Sequence, residues 1–188
     1  ELDALQNKLY SSVYLNMQVA PASGAFCILD TTANSNSDTE LYSGIYLKYI
    51  NLYSENTVNN DFSIYRGSFS TGKSRDINFH SGWKNESSTD FFEHCNETFS
   101  DGTHYILSPA SIIPDTWERA RYIYVPIRDY NDNIIGVCGY EINDLLFQLS
   151  YKTEDGRWGD IDCGLLDESS GICSGQFSSG RYNNIRNG

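Results

Sequence analysis

Two apolar runs joined by a short polar segment constrain the fold of this chain more than any other feature. The runs are WERARYIYVPI, from Trp117, and NIIGVCGYEI, from Asn133. Both are rich in β-branched and aromatic residues, and the connecting RDYNDN contains the Asn and Asp residues that suit a tight turn. With the preceding candidate strand THYILSPASII, they predict an antiparallel meander. Pro126 in the first run indicates a position where the sheet requires no backbone donor.

The amino-terminal segment has the pattern of an amphipathic helix. Apolar residues recur there at helical spacing, with polar residues between them, at Leu2, Leu5, Leu9, Val13 and Met17. The helix is expected to end within residues 20–24, where Pro and Gly occur. A first strand, GAFCILDTT, is then predicted from Gly24 to Thr32. An amphipathic helix of this kind requires a sheet to cover its apolar face.

The middle of the chain is less regular. LYSGIYLKYINL, residues 41–52, favours a strand although its apolar residues also fit helical spacing, and DFSIYRGSF follows as another apolar run. TDFFEHCNETF is a short helical candidate, and NDLLFQLSY is a second, with Asn143 or Asp144 placed to cap it. The order of elements predicts an α+β fold, with an antiparallel sheet that has the long helix on one face. Loops and short helices of the middle segment are expected to cover the other face and to leave a pocket there.

The length of the chain allows one main domain and an extension. We place the domain at residues 1–151 and a hairpin-like extension, rich in Gly and Ser, at residues 152–188. No stretch approaches the roughly 18 apolar residues that a membrane helix requires.

The charge balance limits the partners. The formal net charge is -12 at pH 7, so nucleic acid and anionic lipid surfaces would be repelled. A small anionic ligand is still compatible, because a few inward Arg or Lys side chains set the local field of a pocket.

The five cysteines have different surroundings in the sequence. Cys163 and Cys173 bracket the turn-like LLDESSGI, which predicts a disulfide across a hairpin if the compartment is oxidising. Cys27 and Cys138 lie in apolar strand-like runs, where each is expected to act as a small buried hydrophobe. No CxxC motif occurs and the three His residues are scattered, so neither a metal site nor a cofactor is predicted.

The segment YIYVPIRDYNDNIIGVCGYEINDLLFQL resembles the closing strands of Cache (PAS-like) domains. In those domains an apolar strand with a Pro is followed by a short turn and by a Gly-containing strand that ends in an acidic residue and Ile. The opening helix, AFCILDTT, GIYLKYIN, IYRG and the lone Trp83 are similar to a subgroup found as sensor regions of clostridial-type membrane receptors. The resemblance covers residues 1–151. It implies a PAS-like central antiparallel sheet and no enzymatic activity.

The resemblance also implies a ligand site. Glu141 in GYEI occupies the position from which family members often contact a ligand amine, and Trp83 resembles the aromatic residue that lines the family pocket. By strand alternation Glu141 shares a face with Val137 and Gly139, and the small Gly139 is expected to leave room for a ligand.

Further candidates follow from the chemistry that a pocket for a small zwitterion or carboxylate needs. Arg66 or Arg121 could grip a carboxylate through two hydrogen bonds, although such residues more often form a surface ladder. Trp117, Tyr105 and Tyr124 are candidates for the aromatic wall, with burial as ordinary core residues the alternative.

An enzymatic function is not expected. Glu118, Glu141 and Asp144 have no spacing that forces two of them across a cleft, and no Gly-rich turn presents a nucleophile near His80 or His94.

The sequence therefore predicts an extracellular small-molecule sensor domain of a transmembrane signalling receptor of the histidine kinase, diguanylate cyclase or transcription-regulator type. Its ligand would be an amino acid, a carboxylate or a similar molecule. A flanking transmembrane helix would anchor it on the outer side of the cell membrane, and a homodimer through the first helix is compatible. The alternative is a surface module that binds a protein or glycan through exposed tyrosines and has no internal pocket.

Overall fold

A computed structural model describes residues 2–32, 42–50, 52, 62–79, 91–92, 95, 105–113, 116–146, 161–166 and 173–179. Its elements, in chain order, are α1 (Leu2–Val19), β1 (Gly24–Thr32), β2 (Tyr42–Tyr49), β3 (Phe62–Arg66), α2 (Phe69–Lys73), β4 (Asn78–Phe79), β5 (Ile106–Leu107), β6 (Ser111–Ile112), β7 (Arg119–Arg128), β8 (Ile134–Asn143), β9 (Ile161–Leu166) and β10 (Cys173–Ser179).

Eight of these strands form one mixed, largely antiparallel sheet. Its order is β4-β3-β2-β1-β8-β7-β5, with β6 also pairing with β7. Only β3 and β4 run parallel. Strand β1 thus lies between β2, which follows it in the chain, and β8, which is the last strand of this sheet in the sequence. The first and last strands of the sheet are therefore neighbours near its centre. The predicted α+β class is confirmed.

The meander forms as predicted, except that its first strand is divided into the two short strands β5 and β6. β7 and β8 pair antiparallel along nearly their whole length, and β5 and β6 pair with the other edge of β7. In the turn, Asp129 Oδ1 accepts hydrogen bonds from the backbone N–H groups of Asn131 and Asn133, and Asp132 has a φ of 68°. Asp tolerates that left-handed conformation better than most residues, which explains the choice of turn residues. Pro126 lies beyond the residues of β7 that β5 contacts.

Helix α1 covers one face of the sheet. Val13 and Met17 are buried against Ile45, Leu47 and Ile64, and Leu9 packs at the margin. Leu5, predicted on the same buried stripe, is exposed, and Gln6 is buried instead. The Gln6 side chain donates a hydrogen bond to the backbone oxygen of Gly44, so a polar contact with β2 replaces the expected apolar one.

An aromatic cluster fills the opposite face. Phe91, from the segment predicted as a short helix, is helical and stacks on Phe26 at 4.9 Å, and its ring meets those of Tyr122 and Tyr124 edge-on. Cys95 is fully buried one turn later, with its thiol against the backbone oxygen of Phe91. Phe91 and Cys95 therefore cover part of the face opposite α1, as expected.

The structure also describes the helix cap predicted at Asn143 or Asp144. Leu146 N donates to Asn143 Oδ1 at 2.7 Å, so Asn143 caps the helical turn that begins after β8.

β9 and β10 pair antiparallel in a separate two-stranded sheet. Their register sets Cys163 opposite Phe177 and Cys173 opposite Leu166, which does not favour a bridge between the two cysteines. Their disulfide, and the domain boundary at residue 151, stay predictions.

Within the described residues, no helix has both the length and the apolar character of a membrane span.

A substitution at Ile28 tests whether the core around β1 stabilises the fold. It is fully buried in the central strand β1, whereas Ile112 is 65% exposed at the edge. Ile28→Ala should lower the free energy of unfolding by about 2–5 kcal/mol, because it leaves a cavity between packed side chains. Ile112→Ala, the matched control, should cost less than about 1 kcal/mol. Urea denaturation followed by circular dichroism measures both, and equal losses would contradict the assignment of the core.

Candidate functional site

A group of charged and polar side chains, which we call the ionic cluster, is buried in the face of the sheet opposite α1. Its centre is Lys48 of β2, whose Nζ lies 2.5 Å from Glu141 Oε1 and 2.6 Å from Glu118 Oε2. Lys48 and Glu141 are fully buried, whereas the Glu118 side chain is 42% exposed. The cluster therefore reaches solvent at Glu118.

Gly24 makes this contact possible. It lies in β1 between the strands that carry the two charges, opposite Lys48 on one side and opposite Glu141 on the other. A Cβ atom at residue 24 would lie 2.8 Å from Leu47 O and 3.0 Å from the Tyr46 ring. Because Gly24 has no side chain, the Lys48 side chain passes over β1 and meets the carboxylate two strands away.

Hydroxyl groups complete the surroundings of Glu141. Ser23 Oγ lies 2.6 Å from Glu141 Oε1, and the Tyr46 hydroxyl contacts Oε2. Ser23 Oγ also accepts a hydrogen bond from Asn143 N at 3.0 Å, so it links the ends of β1 and β8. The Glu141 carboxyl group is thus satisfied without a ligand.

Glu118 is held at the start of β7 by its own backbone. Its N–H donates to Thr116 Oγ1, and its carbonyl accepts from Ile113 N at 2.9 Å. Its carboxylate also accepts a long hydrogen bond, 3.4 Å, from Asn143 Nδ2. The backbone contacts fix the exposed end of the ionic cluster.

Burial determines the protonation of these groups. It raises the pKa of Glu141 to about 8, with the Ser23 hydrogen bond acting in the opposite direction. Burial also lowers the pKa of Lys48, and the hydrogen bond and charge of Glu118 oppose that change. A neutral Glu141 beside a Lys48–Glu118 ion pair leaves no net charge in the cluster.

Two buried phenols, those of Tyr65 and Tyr122, lie near enough to Glu118 for its charge to act on them. Tyr122 stands directly opposite Glu141 in the β7–β8 ladder. Burial, together with the nearby Glu118 charge, raises the pKa of Tyr65 to about 12 and raises that of Tyr122 as well. Both hydroxyls therefore stay protonated at neutral pH and can donate hydrogen bonds.

The structure places the predicted site residues in several different environments. Glu141 is in the ionic cluster, and Tyr124 is buried in the aromatic cluster. Arg66 donates a hydrogen bond to the backbone oxygen of Tyr42. Arg121 is buried, and since side chains alternate along a strand and Tyr122 faces Glu141, Arg121 lies on the α1 side of the sheet. Trp83 lies outside the described residues.

One expectation about the site is wrong and one stays open. Trp117 is fully exposed, so it is not an ordinary core residue, and its part in an aromatic wall stays a prediction. Gly139 does share a face with Glu141, but it leaves no room for a ligand. A Cβ there would lie 2.3 Å from Ile123 O and 2.5 Å from Tyr124 Cβ, so the adjacent strand already fills that space.

Sequence reasoning missed Lys48, Ser23 and Tyr46. Each lies within or beside a run that reads as an ordinary strand, and only strand order brings them to Glu141. One signal was available: Lys48 is a lone charge inside the apolar run GIYLKYI, where a buried lysine requires an anionic partner.

A cavity of about 500 Å³ lies on the α1 side of the sheet, and we call it the helix-side cavity. The pocket expected from the sequence lies on the opposite face of the sheet, and it stays a prediction. Tyr105, 52% exposed, stands at its edge. The lining consists mainly of apolar side chains from α1, β1, β7 and β8, including Leu9, Val13, Ala25, Cys27, Ile123, Val125, Ile127 and Cys138.

No group of three or more His, Cys, Asp or Glu side chains in the described ranges is arranged to hold a metal ion. The ionic cluster consists of charged and hydroxyl side chains that contact one another directly.

Lys48→Met tests the central contact. Without the ammonium group two buried or half-buried carboxyl groups face each other, so the substitution should lower the free energy of unfolding by about 3–5 kcal/mol. At pH 9, where Glu141 of the wild type is ionised, the loss in a Glu141→Gln background should be smaller, because one of the two carboxylates is then replaced by a neutral group. Lys8→Met, at an exposed position of α1, is the control. Urea denaturation of the four variants measures the coupling, and a loss no larger than that of Lys8→Met would contradict the geometry.

The raised pKa of Glu141 predicts a pH dependence of stability. Between the ordinary value of 4.5 and about 8, the folded protein binds this proton more tightly than the unfolded chain does. Stability therefore falls as pH rises through that window. Glu141→Gln removes the titrating group, so the wild type should lose a few kcal/mol relative to this variant between pH 5 and pH 8. Denaturation at a series of pH values measures the difference; a relative gain would show that Lys48 keeps Glu141 ionised.

Comparison of the chain with protein-family models, with curated proteins and with solved structures finds no match.

Proposed function

We propose that this chain is an extracytoplasmic ligand-sensing domain of a bacterial membrane receptor, of the Cache (PAS-like) kind, and that the ionic cluster recognises the ligand. One observation carries the proposal: a buried lysine lies between two carboxyl groups, and one of these opens to solvent beside two phenols. Convergent polar groups with shifted pKa values, set in an aromatic surface, are typical of binding sites.

The energetics of the cluster support a role beyond stability. Desolvation of a lysine and a glutamate costs several kcal/mol per ion, and apolar side chains of similar volume often give equal or greater stability. The surrounding face already contains an aromatic core in which such side chains would pack. A ligand that pairs with these charges offers a reason for their presence.

The geometry favours a ligand that has an amine. Glu118 is the accessible carboxylate, and the hydroxyls of Tyr65 and Tyr122 are close enough for its charge to raise their pKa values. An ammonium group bound at Glu118 would weaken the hold of Glu118 on Lys48. Lys48 would then be available for a carboxylate of the same ligand, as in an amino acid. Glu141 acts in this scheme by holding Lys48 in position, which revises the direct contact with the ligand that the resemblance implied.

The fold is compatible with the proposed family. A long amino-terminal helix covers one face of a largely antiparallel sheet, Phe91 and Cys95 are buried on the other face, and Glu141 lies near the end of the closing meander. These features are compatible with the resemblance and support the proposal.

Ser23 provides a route from the cluster to α1. It lies in the short connection between α1 and β1, and its hydroxyl and N–H both contact Glu141. A ligand that changes the position of Lys48 and Glu141 would change the end of α1 through this residue. Transmission to a membrane-anchored output domain would then be a shift between two arrangements of the helix.

Thermal denaturation with amino acids, simple amines and carboxylates tests the proposal. A ligand at about one hundred times its Kd should raise the Tm by roughly 5–10 °C. Glu118→Gln should abolish the rise without unfolding the protein, because the side chain is half exposed. Asp132→Asn, an exposed carboxylate in the β7–β8 turn, is the matched control. A response that survives Glu118→Gln contradicts the assigned role, and no response to any compound favours the alternative of a module that binds through exposed aromatic residues.

A further inference from the structure

Two thiols face each other in the floor of the helix-side cavity. Cys27 of β1 and Cys138 of β8 are direct partners in the antiparallel ladder, and both line the cavity. Neither takes part in a disulfide in the structure. The sequence suggests only two separate apolar strand residues, because 110 positions lie between 27 and 138.

The backbone hydrogen-bond pattern shows whether Cys27 and Cys138 form a hydrogen-bonded or a non-hydrogen-bonded pair of the antiparallel ladder. Ser23 O accepts from Tyr49 N of β2, so the next N–H, that of Gly24, is directed to β8. Alternation then directs the backbone of Cys27 to β2, and a Cβ on Gly44 of β2 would indeed meet Cys27 O at 2.4 Å. Cys27 and Cys138 are therefore a non-hydrogen-bonded pair.

This type of pair suits a disulfide. In non-hydrogen-bonded antiparallel pairs the Cα atoms are about 4.5 Å apart and the side chains are at their closest. Disulfides span Cα separations of about 4.4–6.8 Å. The backbone therefore needs no rearrangement that would separate β1 from β8.

The surroundings favour the uncharged forms of both sulfur atoms. Burial raises the pKa of Cys27 to about 12, with the neighbouring Cys138 adding to the effect, and burial raises the pKa of Cys138 as well. A disulfide has no charge to bury, so the apolar cavity floor accepts it as readily as it accepts two thiols. Cys138 is the more exposed of the two, and an oxidant in the cavity reaches it first.

We infer that Cys27 and Cys138 are a redox-active dithiol, which a low-molecular-weight disulfide converts to a cross-strand disulfide. The minor thiolate form of Cys138 attacks the small disulfide R–S–S–R, forms a mixed disulfide and releases one R–SH after protonation. The Cys27 sulfur then attacks the Cys138 sulfur and releases the second R–SH. In sum, two protein thiols and R–S–S–R give one protein disulfide and two R–SH. This inference does not depend on the proposed sensor function.

Oxidation would covalently link β1 and β8 near the centre of the sheet. β1 and β8 join the amino-terminal half of the described sheet, with α1, β2 and β3, to the meander. A covalent link here closes a loop of more than one hundred residues, which strongly restricts the unfolded chain. The cavity floor would become rigid in the oxidised protein.

Peptide mapping of the full chain tests the inference. The reduced wild-type protein is incubated with oxidised glutathione, its remaining thiols are alkylated, and it is digested with trypsin without reduction. Residues 9–48 contain Cys27 and residues 129–152 contain Cys138. The expected product is these two peptides joined, with a mass two hydrogens below their sum and with separation on treatment with dithiothreitol. The oxidised protein should melt roughly 5–10 °C higher than the reduced one.

Variants separate this reaction from those of the other thiols. A protein with Cys95→Ala, Cys163→Ser and Cys173→Ser retains only the proposed pair and should still form the link. Adding Cys138→Ala should stop the reaction at a glutathione adduct or at the free Cys27 thiol. The wild-type map decides the question if the triple variant does not fold. Recovery of Cys27 and Cys138 as separately alkylated or separately glutathionylated residues after prolonged oxidation, or linked to other cysteines, would overturn the inference.

Discussion

The contact between Lys48 and Glu141 across Gly24 is the interaction on which the rest of the structure depends. It joins β2 to β8 over the top of β1, so three adjacent strands are held in one register. If the register of the β1–β2 or the β1–β8 pairing shifted by one residue, the side chain of Lys48 or Glu141 would point to the α1 side, where it would meet the apolar cluster. This buried polar contact therefore specifies an alignment that apolar packing alone would specify less sharply.

The same three strands carry different chemistry on their two faces. Gly24, Phe26 and Glu141 face the aromatic and ionic side, whereas Cys27 and Cys138 face α1 and the cavity. The helix packs mainly on β1 and β2, so the parts of β7 and β8 beside it remain as cavity wall. The cavity thus exists because one helix is narrower than the sheet that it covers.

Local features of this fold were predictable and distant contacts were not. The turn at Asp129, the cap at Asn143 and the span of β1 follow from neighbouring residues, which a sequence displays directly. The partners of Glu141 come from β2 and from the α1–β1 connection, and they depend on a strand order that alternation cannot supply. Similarly, alternation correctly put Gly139 on the face of Glu141, but only the neighbouring strand shows that Ile123 O and Tyr124 occupy the space.

The ionic cluster and the dithiol are connected through the strands that hold them. Cys138 and Glu141 lie on opposite faces of β8, three residues apart, and their partners Cys27 and Gly24 have the same relation in β1. A ligand bound at Glu118, as proposed, would act on Lys48 and hence on the β2–β1–β8 alignment, whereas a disulfide would fix the β1–β8 part of that alignment. Each event changes the free energy of the arrangement that the other requires, and thermodynamic linkage makes any such effect reciprocal. In this sheet, a redox change on one face would therefore alter ligand affinity on the other without any contact between the two sites.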